Sequence, residues 1–228
     1  MVKSGDIISY WAICKEEEAA LRRGMNYRLH GKHSVILMNV HPGAPYADRV
    51  EAEGKVLVYE GHNAFVKGLD PKSIDQRAAN PDGTLTQNGL FDKAATEYKE
   101  GKRDVELVTV YEKIKSGIWV YNGIFKLVDT WQEVSGPRKV FKFRLEVAEK
   151  QARLELPNEE LEQTRVIPTS VKLEVWKRDK GQCVKCGSKD NLHFDHILPF
   201  SKGGTSLTAK NIQLLCARHN LEKHDKIE

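Results

Sequence analysis

Hydrophobic runs in the first two thirds of the chain are short and closely spaced. Residues 34–40 (Ser-Val-Ile-Leu-Met-Asn-Val) and 55–59 (Lys-Val-Leu-Val-Tyr) have strand length and are bounded by Gly, Pro and Asp, which predicts β-strands. Residues 91–100 follow a different period: Phe91, Ala94, Ala95 and Tyr98 fall on one helical face, and Gly101 stands where a C-cap glycine would. Residues 16–23 give a second, shorter helix. Four further strands follow over 104–111, 117–121, 124–131 and 139–147, punctuated by Lys115-Ser-Gly117, Asn122-Gly123 and Ser135-Gly-Pro137. Residues 1–147 therefore predict a mostly β domain with few helices. Residues 148–163 are charge-rich with sparse apolar positions and predict a linker. In the remaining 164–228, Val171, Val175 and Trp176 share one face of a helix that Ser170 would cap.

Composition narrows the class without changing this picture. With 40% hydrophobic and 30% charged residues, the 228-residue chain is expected to fold. No stretch approaches the roughly 20 apolar residues of a membrane span, and the N-terminus lacks an apolar signal core. A cytoplasmic protein with no membrane partner is expected. Of four cysteines, three fall in ligand-like clusters and Cys14 is left over, which suits metal-bound thiolates in a reducing compartment. From residue 164 onward 12 Lys/Arg stand against 7 Asp/Glu, so the basic excess lies at the C-terminal end. Such an excess is ordinarily a solvated surface, and it gains meaning only from the chemistry beside it.

That chemistry is two interleaved sets of residues. Cys183-Val-Lys-Cys186 and Cys216-Ala-Arg-His219 are two ligand pairs, each separated by two residues, the spacing at which a tight knuckle presents two ligands to one tetrahedral Zn²⁺. A unit of about 65 residues has little core of its own, so a structural metal is physically reasonable. Between and after the pairs lie His193-Phe-Asp195-His196-Ile-Leu-Pro199, Gly203-Gly204, Asn211-Ile-Gln-Leu-Leu, Asn220 and Lys223, none of which a zinc ion needs. This second set is the candidate for catalysis.

On these motifs, residues 164–223 resemble the HNH nuclease family, with its ββα-metal fold. The resemblance implies that His196 is the general base, that Asn211 ties back the loop that aims it, and that Asp195 and Asn220 hold a catalytic Mg²⁺ or Mn²⁺. His219 stands in place of a commoner fourth cysteine and would complete a Cys₃His zinc site with Cys183, Cys186 and Cys216. Arg218 and Lys223 are candidate phosphate contacts or simply solvated helix residues. His193 reads as packed or strand-exposed.

Residues 34–147 resemble the SET and RING-associated (SRA or YDG) domain. The resemblance rests on Asp75-Gln76, Leu85-Thr86-Gln-Asn88-Gly-Leu, residues 105–111, Tyr121-Asn122-Gly123 with the run to Trp131, and Phe141-Lys-Phe-Arg-Leu145. The triplet that names the family, Tyr-Asp-Gly, is here Tyr121-Asn122-Gly123. That family grips duplex DNA with a curved sheet and flips out a modified cytosine. The resemblance implies that Tyr46 and Tyr59 stack on the flipped base while Asp48 accepts from its exocyclic amine. The alternative makes Tyr59 a core strand residue and Asp48 a turn residue.

Together these readings predict an α+β protein: an SRA-like curved sheet or barrel followed by a small zinc-stabilised ββα-metal domain. The expected activity is modification-dependent cleavage of double-stranded DNA carrying 5-methyl- or 5-hydroxymethylcytosine. One HNH site cuts one strand, so a double-strand break implies a homodimer or two molecules meeting on DNA. The competing readings are a modified-DNA binding module with an inactive HNH fold, and an HNH nuclease indifferent to modification.

Overall fold

The computed structural model describes residues 2–40, 43–148, 166–199 and 202–223. Its strands are β1 (Ile7–Ile8), β2 (Met25–Asn26), β3 (Ser34–Met38), β4 (Arg49–Glu51), β5 (Val56–Glu60), β6 (Glu106–Lys115), β7 (Ile118–Ser135), β8 (Arg138–Val147), β9 (Leu192–His196) and β10 (Ile212–Cys216). The α-helices are α1 (Tyr10–Glu16), α2 (Gln87–Lys99), α3 (Thr169–Arg178) and α4 (Ala217–Lys223). The architecture is mixed α+β: a sheet-rich body, then a small unit built on a β-hairpin. Among the described residues no helix is long and apolar enough to cross a membrane.

The body sheet runs β2-β3-β6-β7-β8-β5-β4, with β1 pairing to β7 off that path. β3 and β6 pair in parallel, Ser34 opposite Val108, and the remaining neighbours are antiparallel. Alternation along β6, β7 and β8 sends Val108, Val110, Phe125, Leu127, Phe143 and Leu145 inward, where Phe91, Ala94 and Ala95 of α2 cover them. Thr86 caps α2 by accepting from the Gly89 N–H at 3.2 Å, so the helix begins four residues before its apolar stripe.

Three sequence expectations fail for local reasons. Ser170 does not cap the C-terminal helix, because α3 already begins at Thr169 with Pro168 in the cap position, which puts Ser170 in its first turn. Asn122-Gly123 does not end a strand, because Gly123, at φ +99°, absorbs a register shift against β6 and lets β7 continue for 18 residues as one bulged, bent strand. The short helix lies at Tyr10–Glu16 instead of 16–23: Ser9 caps it by accepting from Ala12, and Glu18, at φ +51°, falls in the left-handed region that interrupts any helix through 16–23.

The C-terminal unit packs directly on the body. Ile114 and Val120 of the body share one core with Ile167, Val171, Val175, Phe194, Ile212 and Leu214. β1 joins the two sheets: Ile7 pairs with Val120, Asp6 bridges antiparallel to His193, and Phe194 donates to the Gly5 carbonyl at 3.0 Å. Beneath α3, Lys172 donates to Glu112 at 2.5 Å and to Asn122 at 2.7 Å. Asn122 and Thr169 also donate to the Glu112 carboxylate. The middle residue of the Tyr121-Asn122-Gly123 triplet is thus part of the junction between the units. Apart from Ala148, the expected linker at 148–163 lies outside the described residues.

Candidate active site and metal centre

The zinc-type cluster is assembled by a knuckle and a helix start. Gly187, at φ +72°, lets its N–H return to the Cys183 carbonyl at 2.8 Å, which places Cys183 and Cys186 side by side. Cys216 ends β10 and His219 lies in the first turn of α4. The four ligand atoms all lie within 4.8 Å of one another. The Cys186–Cys216 sulfurs are 3.8 Å apart, and His219 Nδ1 lies 3.3 Å from Cys183 and 3.4 Å from Cys216. A tetrahedron with Zn–S of about 2.3 Å has S···S edges of about 3.8 Å, so this donor set fits the ion in size as well as in chemistry. Burial pushes the Cys183 thiol up, but N–H groups of Cys216, Cys186 and Lys185 together with the His219 ring outweigh it and bring it to about 6, favouring the thiolate a metal needs.

The second set converges at the far end of the same hairpin. Asp195 and His196 close β9, opposite Gln213 and Ile212 of β10. Asn211 fastens the intervening loop: its Oδ1 accepts from the Leu198 N–H at 2.8 Å, and its Nδ2 donates to the carbonyls of Leu198 and Thr205, each at 3.0 Å. Gly204 is required there, since a Cβ would come within 1.8 Å of the Leu198 carbonyl oxygen. The loop so held presents Ser206, 2% exposed, whose hydroxyl shares a 2.8 Å hydrogen bond with His196 Nε2. Burial lowers the His196 pKa, Asp195 partly opposes this, and Lys223 adds to it, which favours the neutral imidazole over the charged one.

Lys223 departs from expectation. It is 1% exposed, and its ammonium donates to the His196 carbonyl and pairs with Asp195 Oδ2 at 2.9 Å. A buried, fully engaged lysine is no surface phosphate contact, because α4 packs that face against the hairpin. Arg218, by contrast, is exposed; its guanidinium lies 3.1 Å from His219 Nε2 and 3.7 Å from the Glu222 carboxylate. Asn220, half-buried, lies three residues before Lys223 and so on the same face of α4. Asp195 Oδ1 takes no hydrogen bond from the described residues. An open carboxylate oxygen beside a face carrying a neutral amide fits a hard divalent cation. His193 is packed, its Nδ1 against Asp6 and its Nε2 buried with no hydrogen-bond partner among the described residues.

In the body, β4 and β5 bring Asp48, Tyr59 and Glu60 together. Asp48, 7% exposed, accepts from the N–H groups of Asn39 at 3.1 Å and Glu60 at 2.9 Å. Burial raises its pKa to about 7 even though those two donors oppose the shift. Glu60 pairs with Arg138 and Lys142, each at 3.0 Å, inside the protein. This buried charge cluster was missed in the sequence; its only trace is Lys142 between two phenylalanines on a core strand. Tyr46 is half-buried under the Lys72 ammonium, 4.2 Å from its ring centre. Tyr59 is 4% exposed and packed in the main core, the alternative left open by its sequence. Among the described residues no ring contact links Tyr46 to Tyr59.

Residues 183–226 match the HNH endonuclease family, a match to the C-terminal segment and not to the chain as a whole. No curated protein matches the chain. Among solved structures, the chain is similar to the SUVH5 SRA domain in complex with methylated CHH DNA, with 21% identity over 65% of this chain and 90% of that one and a TM-score of 0.46. It is also similar to the modification-dependent TagI restriction endonuclease, with 20% identity over 97% of this chain and 77% of that one and a TM-score of 0.45. A third similarity is to Arabidopsis thaliana SUVH6 in complex with SAM, with 20% identity over 86% of this chain and 32% of that one and a TM-score of 0.44.

Proposed function

We propose that this chain is a cytoplasmic modification-dependent DNA endonuclease, in which the hairpin site hydrolyses phosphodiester bonds and the body reads modified cytosine in duplex DNA. The observation that carries the nuclease reading is the half-buried His196 beside Asp195 at the end of β9, hydrogen-bonded to Ser206 of the loop that Asn211 fastens, within the segment that matches HNH endonucleases. His196 takes a proton from the attacking water. Asn211 keeps the imidazole aimed by holding the Leu198 and Thr205 backbone. Asp195 and Asn220 would hold Mg²⁺ or Mn²⁺, which when bound polarises the scissile phosphate and stabilises charge on the leaving 3′ oxygen. Cys183, Cys186, Cys216 and His219 would hold a structural zinc, which when bound ties the knuckle to α4. Arg218 supplies a phosphate contact. Two chains act together to break both strands.

The reader assignment is supported by the sequence resemblance and by the convergence of Asp48, Tyr46 and Tyr59 at one end of β5. Seating a base there requires Tyr46 to give up its contact with Lys72 and Tyr59 to be uncovered. The burial of Tyr59 favours a second reading, an HNH nuclease indifferent to modification. Wild type and His196→Ala, each given matched methylated and unmethylated plasmids with Mg²⁺ or Mn²⁺, separate the cases. The expected result is cutting of the methylated plasmid by wild type alone. Equal cutting of both plasmids would leave the second reading standing, and undiminished cutting by His196→Ala would remove the nuclease site from this hairpin.

A further inference from the structure

A nuclease connected to a reader by a flexible tether would cut wherever the tether lets it reach. The contacts described here impose a different geometry. Ile114 and Val120 on the body and Ile167, Val171 and Val175 on the nuclease unit are each at most 5% exposed and form one continuous core. Separating the units would return all of them to water. It would also strip Glu112 from Lys172, two charges with side chains 0% and 1% exposed, whose burial is tolerable only as a hydrogen-bonded pair. Residues 5–8 add backbone pairing to both sheets at once, through β7 and through the Asp6–His193 bridge. These three sets of contacts come from different segments of the chain and hold the same relative placement.

We propose that the nuclease unit cuts from the position it holds here, and that Asp6, Glu112, Asn122, Lys172 and His193 thereby fix the distance between the base that is read and the bond that is broken. This rests on the function proposed above. The opposing possibility is that the junction is a resting clasp that must open before the hairpin reaches DNA.

A cross-link distinguishes them. Asp6 and His193 face each other across an antiparallel bridge beside the Phe194–Gly5 hydrogen bond. Such pairs have Cα separations of about 4.5 to 5.5 Å, within the range a disulfide spans. The full-length, zinc-loaded Asp6→Cys/His193→Cys protein would be compared oxidised and reduced, with zinc content measured in both states and the Asp6→Cys single variant as oxidation control. The readouts are cleavage rate on methylated and unmethylated duplexes and, by sequencing the ends, the spacing from modified cytosine to cut. The oxidised protein is expected to cut within about twofold of the reduced rate and at the same narrow spacing. A tenfold or greater loss on oxidation that reduction restores would overturn the proposal. Lys172→Met, or Glu112→Gln/Lys172→Met where the single variant does not fold, is expected to broaden the distribution of spacings; a distribution as narrow as wild type would equally overturn it. If the reduced protein cuts methylated and unmethylated duplexes alike, the reader assignment fails by itself, while the oxidised-to-reduced rate ratio still reads the junction. If wild type cuts no DNA, both fall together.

Discussion

Replacing Lys172 by Met removes an ammonium from a site that is 1% exposed and leaves the Glu112 carboxylate, 0% exposed, with only Asn122 and Thr169 as partners. Breaking a buried pair in this way costs about 3 to 5 kcal/mol, because the remaining charge is stranded away from water. For a chain of this size that is a fall in Tm of about 6 to 20 °C. Glu112→Gln/Lys172→Met removes both charges and should recover most of the loss, so a double-mutant cycle read from denaturant unfolding in saturating zinc should show a coupling of several kcal/mol. The pH dependence gives an independent check. In wild type, burial pushes Glu112 up, but Lys172, Asn122 and Thr169 outweigh it and hold the carboxyl below 4.5. Its contribution is therefore fully present above about pH 4.5 and is lost as pH falls through the folded value. Without Lys172 the burial remains unopposed by an ammonium, the folded pKa rises above the unfolded one, and the variant loses stability as pH rises from about 4.5. Acidification from pH 8 to 5 should therefore narrow the gap between variant and wild type. A cost below about 1 kcal/mol, or a gap that does not change with pH, would refute this account of the junction.

His196→Ala should lower the cleavage rate by about 10²- to 10⁴-fold while leaving DNA binding intact, measured by a cleavage time course beside gel shifts. Cys216→Ser should abolish tight zinc binding and, because Phe194 and Leu214 of that unit pack against Ile114 and Val120, should lower the melting of the whole chain and not of the C-terminal unit alone; an unchanged melting transition for the body would show the shared core to be weak. Asp48, raised to about 7 by burial against 3.8 as a free side chain, keeps a proton in the folded state that the unfolded chain has lost, so its contribution to stability falls between about pH 4 and 7, by up to about 1.4 kcal/mol per pH unit. Stability curves of wild type and Asp48→Asn that run parallel from pH 5 to 7 would contradict that. Tyr46→Ala should weaken binding to modified duplexes by about 1 to 3 kcal/mol and unmodified duplexes by less; equal losses would make Tyr46 a packing residue.

What the sequence made legible follows from how local each signal is. The strands at Ser34–Met38, Val56–Glu60 and Arg138–Val147 announce themselves because their apolar runs end at residues that break strands. The zinc-type cluster does so because two ligand pairs fix both spacing and ligand type within four residues each. Asp195, His196 and Asn211 were visible as a motif, but the engagement of Lys223 with Asp195 was not, since which face of α4 turns inward depends on packing against the hairpin. Ser206 gave no signal, because a serine in a Gly-Gly-Thr-Ser loop looks like any turn residue until the histidine it meets is placed in space. Glu112, Asn122 and Lys172 are 10 to 60 residues apart in sequence and escape any window-based reading. β1, at two residues, is too short to carry a period at all.

The pairing of Asp6 with His193 spans 187 positions of the chain. During synthesis at about 5 to 20 residues per second, the strand at residues 7–8 leaves the ribosome roughly 10 to 40 seconds before its partner exists. Until then Ile7 can pair with β7 but has nothing to lie against on its other side, and Gly5 offers its carbonyl to an absent Phe194. The nuclease hairpin is thus completed by residues made well before it, and residues 5–8 wait for it with one side unpaired. A nascent chain halted before residue 193 carries an unfinished edge at residues 5–6 and no assembled cutting site.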